Sequence, residues 1–157
     1  MLPSTTMRVP LHTRESSNRR IAREIEENIV YFLAHPDQID QRLAELDREW
    51  DIERVFETQA SSLSLIGLTL GATVNKTWFL LTGMVASFLL LHALQGWCPP
   101  LPVLRRLGFR TQGEIELERY TLKAVRGDFN EVGSSQEMNI GSRANMALRA
   151  ACDAGAH

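Results

Sequence analysis

Apolar residues recur at helical spacing in two early stretches of this 157-residue chain. Ile21, Ile25, Ile29 and Phe32 form one stripe, which stops at Ala34-His35-Pro36 because proline disfavours helix in the residue before it. Ile39, Leu43, Leu46 and Trp50 form a second, and Asp37 is placed to cap it. Glu45 with Arg48 and Asp51 with Arg54 add weak i,i+3 pairing on its surface. No breaker precedes Ser61, so this second helix is expected to run straight on. Residues 16–57 thus predict an antiparallel helix pair, preceded over residues 1–15 by a flexible arm with Pro3, Pro10 and no periodicity.

The pattern then changes from stripes to continuous apolar sequence. Between Thr58 and Leu104 the only formal charge is Lys76, whereas Met1–Glu57 carries 8 Lys/Arg and 12 Asp/Glu and Arg105–His157 carries 8 and 7. A near-chargeless run of that length is what two membrane passes and a tight turn require. The stretch Trp78–Trp97 is rich in Leu and Phe, and its insertion is favourable by about 3 to 5 kcal/mol. The stretch Thr58–Asn75 reaches only about 2 to 4 kcal/mol and needs help from packing. A small-residue face made of Ala60, Ser64, Gly67 and Gly71, with the GxxxG of GLTLG, offers it, and Gly83 with Ser87 is the expected matching patch on the second span. Ser62, Thr69 and Thr73 lie on the opposite face, where their hydroxyls can bond back to helix carbonyls without requiring a pore.

Trp78 and Trp97 stand at the two ends of the second span, about 29 Å apart at helical rise, close to the thickness of a bilayer core. Both are therefore expected at membrane interfaces, with Gly96 and Pro99-Pro100 ending the helix and Arg105, Arg106 and Arg110 among the lipid headgroups. Arginines flank the hairpin on both outer sides and the turn has only Lys76, so both termini are expected in the cytoplasm. Over residues 105–129 a further amphipathic helix is expected. It begins at a Thr111/Glu114 capping box and ends at Gly127. Its buried face is ambiguous: Ile115, Leu122, Val125 and Phe129 make one stripe, and Leu117, Tyr120 and Ala124 another. Residues 130–157 predict a loosely ordered tail.

Charge and composition narrow the partners more than the chemistry. The net charge is −2 with Arg and Glu interleaved, which gives no footprint for nucleic acid. The N-terminal stretch has no apolar core of a secretory signal, so insertion is expected to rely on the internal spans. Cys98 and Cys152 are too far apart for a CxxC metal or redox pattern. Cys98 is nevertheless the possible thiol site, since prolines flank it and nearby arginines would favour a thiolate able to carry sulfur or sense redox state. His92 and Gln95 are polar positions inside the second span, but no second histidine at i,i+4 supports haem or zinc. Glu49, Glu53 and Glu57 line up at i,i+4 and predict a solvated face. Arg126-Gly127-Asp128 spells an adhesion tripeptide that a helix-end glycine explains. HExxH, GxSxG, P-loop and GxGxxG patterns are missing from the sequence, so no catalytic residue, cofactor or metal is expected.

Residues 60 to 111 resemble the YgaP-like transmembrane-domain family of two-span hairpins. The features that carry the resemblance are the GxxxG-containing first span, the turn at Asn75-Lys76, the Leu-rich second span, and the exit Gly96-Trp97-Cys98-Pro99 followed by Leu104, Gly108 and Thr111. The resemblance implies a bacterial inner membrane and a multi-pass hairpin of unassigned biochemical function. Arg105-Arg106 departs from the apolar exits usual in that family. Some members anchor a rhodanese domain, but the 57 residues before this hairpin are too few and too helical for one, so no sulfurtransferase activity is carried over. The expected fold class is all-α: an integral membrane two-helix hairpin, residues 58–104, flanked by cytoplasmic amphipathic helices. The expected role is non-enzymatic anchoring, with self-association through the small-residue face or contact with an unidentified cytoplasmic protein, and the lipid bilayer as the first partner. The alternatives are a thiol-dependent membrane module at Cys98 and a soluble bundle that buries the same hairpin.

Overall fold

The computed structural model describes residues 7–130, together with 147 and 149. Among the described residues all regular structure is helical: α1 (Arg8–Leu11), α2 (Glu15–Ala34), α3 (Ile39–Leu46), α4 (Ile52–Thr73), α5 (Phe79–Gln95), α6 (Leu101–Leu107) and α7 (Gln112–Arg126). The chain divides into two compact units, one of residues 1–22 and 50–113 and the other of residues 23–49 and 114–157. The tail expected over 130–157, including Cys152, lies outside the described residues apart from its first residue and positions 147 and 149.

The first unit is built on α4 and α5. Asp51 starts α4: its backbone is extended and its carboxylate accepts the N–H of Arg54 at 2.6 Å, which satisfies one of the helix's orphan donors. The second helix of the early pair therefore does not run on as the apolar spacing predicts. It stops at Leu46, the chain turns, and a new helix begins at Ile52, whose own N–H donates to the Arg110 carbonyl at 2.9 Å. Consequently Glu49 does not share a helix with Glu53 and Glu57, and Asp51 is a cap instead of a surface partner. At the far end, the Asn75 side chain accepts from both the N–H and the hydroxyl of Thr77 and fixes the turn at the expected place. Gly96 ends α5 in the left-handed conformation, φ 79°, as its position predicts.

Below the hairpin, Val9, Ile52, Val55, Phe56, Cys98, Leu101 and Leu104 form one apolar cluster with Phe109 packed against it. Val9 corrects the expected flexible arm: from Met7 the chain is folded, and Val9 is only 1% exposed. The reason is local. Gly96 lacks a Cβ that would lie 2.4 Å from the Arg8 carbonyl oxygen, so the α1 backbone can close on the end of α5, and the Arg8 guanidinium donates to the Ala93 carbonyl.

The second unit joins α3, α7 and the later part of α2 around Ile39, Leu43, Leu46, Ile115 and Leu122, with Phe32 against them. The expected helix pair and the expected C-terminal helix thus share one core. Asp37 does not cap α3. It sits inside a 3-10 turn at Pro36–Gln38 that follows the predicted stop at Ala34. Helix α7 begins directly after Thr111 and ends at Gly127, φ 96°. Its ambiguity resolves in favour of Ile115 and Leu122, while Val125 of the same stripe is exposed, as are Leu117 and Tyr120. Glu118 takes a place in the buried stripe because it is paired: its carboxylate accepts from Arg42 at 2.9 Å and from Asn28 at 3.2 Å. Lys123 is buried on the same helix, and desolvation with the nearby Arg119 guanidinium pushes its ammonium below the ordinary range. Arg126 pairs with both Asp128 and Asp40, so the adhesion-like tripeptide is a closed helix end.

Candidate functional site

The helix-packing residues expected on α4 are used within the chain. Gly67 and Gly71 are buried, and a Cβ on each would meet the Thr82 hydroxyl at 2.5 Å and the Phe79 ring at 2.7 Å. Ser64 is half-buried, and its carbonyl accepts from the Thr82 hydroxyl at 3.3 Å. These contacts run in opposite sequence directions, so α4 and α5 are antiparallel and close. Their closeness corrects two expectations. The small-residue face is met by α5 at Gly67 and Gly71, where Thr82 and Phe79 fill it, while Ala60 and Ser64 are half-buried. Gly83 and Ser87, the expected match, point outward: a Cβ on Gly83 meets nothing within 4 Å, and the Ser87 hydroxyl bonds back to the Gly83 carbonyl at 2.8 Å. A one-position error in helix phase is a rotation of about 100°, enough to turn a facing residue outward. Ser62, Thr69 and Thr73 each bond back four residues along α4, as expected.

The interface residues divide. Trp78, Trp97 and Arg106 are exposed. Arg105 and Arg110 are not: both are buried in the first unit, Arg105 at 0% exposure, where its guanidinium donates to Asn18 Oδ1 at 2.8 Å and to the Phe109 carbonyl at 3.2 Å. Their expected place among headgroups is therefore corrected. The short α6, closed by left-handed Gly108, rotates Arg105 onto the same inner face as Leu101 and Leu104. Trp50 is exposed, and the Arg54 guanidinium covers its ring at 4.5 Å.

Cys98 is buried in the apolar cluster, three residues beyond the end of α5. Burial pushes its thiol above the ordinary value, the opposite of the lowering that nearby arginines predict. The Arg105 guanidinium is engaged by Asn18 and the Phe109 carbonyl. Cys98 lines a pocket.

That pocket, of about 250 Å³, lies between α4 and α5 and the Cys98-Pro99-Pro100 corner. Phe56, Leu63, Met84 and Phe88 give it an apolar wall, and His92 and Gln59 are its titratable or amide-bearing side chains. His92 is 5% exposed, and its ring lies against Phe56 with centroids 4.3 Å apart. Neither ring nitrogen has a hydrogen-bond partner. Sequence reasoning weighed His92 as a ligand for haem or zinc and missed this setting. The signal was its polarity in an otherwise apolar helix, but only the packing of α4 beside it supplies the cavity. Among the described residues no three His, Cys, Asp or Glu side chains gather in a geometry for a metal ion. No family model, curated protein or solved structure matches the chain.

Proposed function

We propose that this chain is a non-enzymatic integral membrane protein in which α4 and α5 cross the bilayer as a hairpin and anchor the remaining helices at the cytoplasmic face. The observation that carries this reading is the helix Lys76–Gln95, which is long and apolar enough to cross a membrane and has only 6% of its apolar window buried. An apolar helix inside a water-soluble core would bury most of that surface, because each large aliphatic side chain gains about 1.5 to 3 kcal/mol on leaving water. Here Leu80, Met84, Leu90 and Leu94 stay outside. Lipid is the solvent in which that exposure carries no penalty.

Helix α4 joins the reading through its fit to α5. Leu65, Ile66 and Leu68 are exposed on it, its hydroxyls are satisfied by its own carbonyls, and its small residues let the two backbones approach. Exposed Arg54 and Arg106 flank the hairpin, and Lys76 marks the turn, the bias expected when both ends are cytoplasmic. The resemblance to YgaP-like bacterial inner-membrane hairpins fits this topology, and the anchoring role needs no reacting residue. Alkaline carbonate extraction of membranes expressing the full chain tests the reading: the protein is expected in the pellet. Recovery in the supernatant would remove the membrane role.

A further inference from the structure

The buried imidazole of His92 has no task in anchoring. It costs stability where it stands, because a buried polar group without a partner forfeits the hydrogen bonds that water would give it, a loss that phenylalanine or leucine would not carry. The pocket it lines is apolar on nearly every side. At about 250 Å³ it exceeds the cavity of about 150 Å³ that is known to hold a benzene ring. Water is a poor occupant, because an ordered water requires two to four polar partners and finds His92 and Gln59 against walls of carbon. An apolar pocket with one convergent polar group is the usual form of a small-molecule site, the walls giving affinity and the polar group orientation.

We propose that this pocket binds a small bilayer-soluble molecule with an apolar body and one hydrogen-bonding oxygen, and that the His92 imidazole receives that oxygen. A neutral imidazole has one donor and one acceptor nitrogen, so it can serve a carbonyl or a hydroxyl. The apolar body lies along Leu63, Met84 and Phe88. Cys98, at the same pocket, then packs the ligand as a small apolar side chain. Two molecules share this chemistry, an alkylated quinone and a fatty alcohol. The proposal rests on the membrane reading only for the source of the ligand, since the pocket belongs to the folded first unit whatever surrounds it.

The test uses the full chain, labelled with ¹⁵N-histidine, in detergent micelles and in lipid nanodiscs. Three probes with equal tails are added: a decyl-substituted benzoquinone, 1-decanol, and decylbenzene, which has no oxygen. His92 is one of four histidines, and its ring signals are identified by their loss in His92→Phe. The expected result is that one or both oxygen-bearing probes move the His92 ring signals and bind roughly tenfold tighter than decylbenzene, the scale of one net hydrogen bond. Whether the quinone or the alcohol binds tighter identifies the source. His92→Phe is expected to erase the preference while keeping decylbenzene binding, and Ala60→Phe, which fills the pocket, is expected to abolish binding of all three. Gly83→Ala, on the open outer face, should change nothing. Equal binding of the three probes, no movement of the His92 signals, or unaltered binding in Ala60→Phe would each overturn the proposal. The comparison of probes on the native chain decides the matter even where a variant fails to fold. Probe binding by a chain that carbonate releases would keep the pocket and remove the membrane role, so the two readings fail separately.

Discussion

The hairpin of the first unit and the core of the second place hydrocarbon in opposite ways. On α5, Leu80 is 73% exposed; in the second unit, aliphatic side chains of α3 and α7, with Phe32 of α2 against them, close a small core with Glu118 enclosed beside it. Under the proposed membrane role, the difference follows from the solvent each must satisfy. A hairpin in lipid gains nothing by hiding leucine, so its packing rests on close backbone approach at Gly67 and Gly71. A three-helix unit in water gains from each buried aliphatic group, and can enclose a carboxylate only when Arg42 and Asn28 answer it. Helical periodicity is the same in both, yet the inward face is hydrocarbon in the second unit and small residues where α4 meets α5 at Gly67 and Gly71.

Breaking the charge pair is expected to have the largest effect. Glu118→Ala removes the partner of Arg42, whose guanidinium keeps Glu45 at 3.1 Å near the surface. Loss of one member of an enclosed pair costs about 3 to 5 kcal/mol, and the remaining partner places this case near the lower end. Amide hydrogen exchange is the measurement: amides of α3 and α7 are expected to lose protection by about 3 kcal/mol while those of α5 do not change. Equal loss in both units would erase the contrast, because it would make the two cores a single cooperative one. Glu118→Gln keeps one acceptor oxygen for Arg42 and Asn28 and is expected to lose less.

The hairpin gives the next effect in size. Gly67→Ala places a methyl within 2.5 Å of the Thr82 hydroxyl, 3.2 Å of the Trp78 carbonyl oxygen and 3.3 Å of the Thr82 nitrogen. The hydroxyl can turn away, but the backbone atoms cannot, so overpacking of about 1 to 3 kcal/mol is expected. At Gly71 the obstacle is the Phe79 ring, a side chain that can move, and Gly71→Ala should cost less. Unfolding of each variant in detergent, set beside a membrane dimerisation assay, separates packing within the chain from association. Reduced stability with unchanged association is expected. The reverse pattern would restore the small-residue face to a second copy.

These predictions also mark what the residues themselves could tell. Helical character, the turn at Asn75-Lys76, the stops at Ala34, Gly96 and Gly127, and the Gly67/Gly71 contact face were legible, because each rests on a local rule of period, capping or side-chain size. The burial of Arg105 and Val9, the partner of the GxxxG face, and the pocket at His92 were not. Each depends on which distant segment arrives: Asn18 for Arg105, Phe56 for His92, and the Arg8 backbone over Gly96. Periodicity assigns a face to a residue and says nothing of what will lie opposite. Cys98 makes the same point in its chemistry, since nearby arginines in sequence lower a thiol only if they come near it in space, and here burial dominates.

The smallest expected effect lies at the start of α4. Asp51 resembles its neighbours in a run of acidic and basic residues, but its carboxylate alone caps α4, and the next residue's N–H is tied to Arg110. Asp51→Ala is expected to cost about 1 kcal/mol, the usual loss for a missing N-cap acceptor. Asp51→Asn, which keeps the acceptor oxygen, should recover most of it. Hydrogen exchange at Arg54, whose N–H the carboxylate receives, reports the cap directly, because the orphaned amides of the first turn exchange fastest when it is lost. If the alanine variant protects those amides as well as the native chain does, the break after Leu46 does not depend on capping. The chain would then turn there because Ile52, Val55 and Phe56 are drawn into the cluster around Leu101, and burial alone would set where α4 begins.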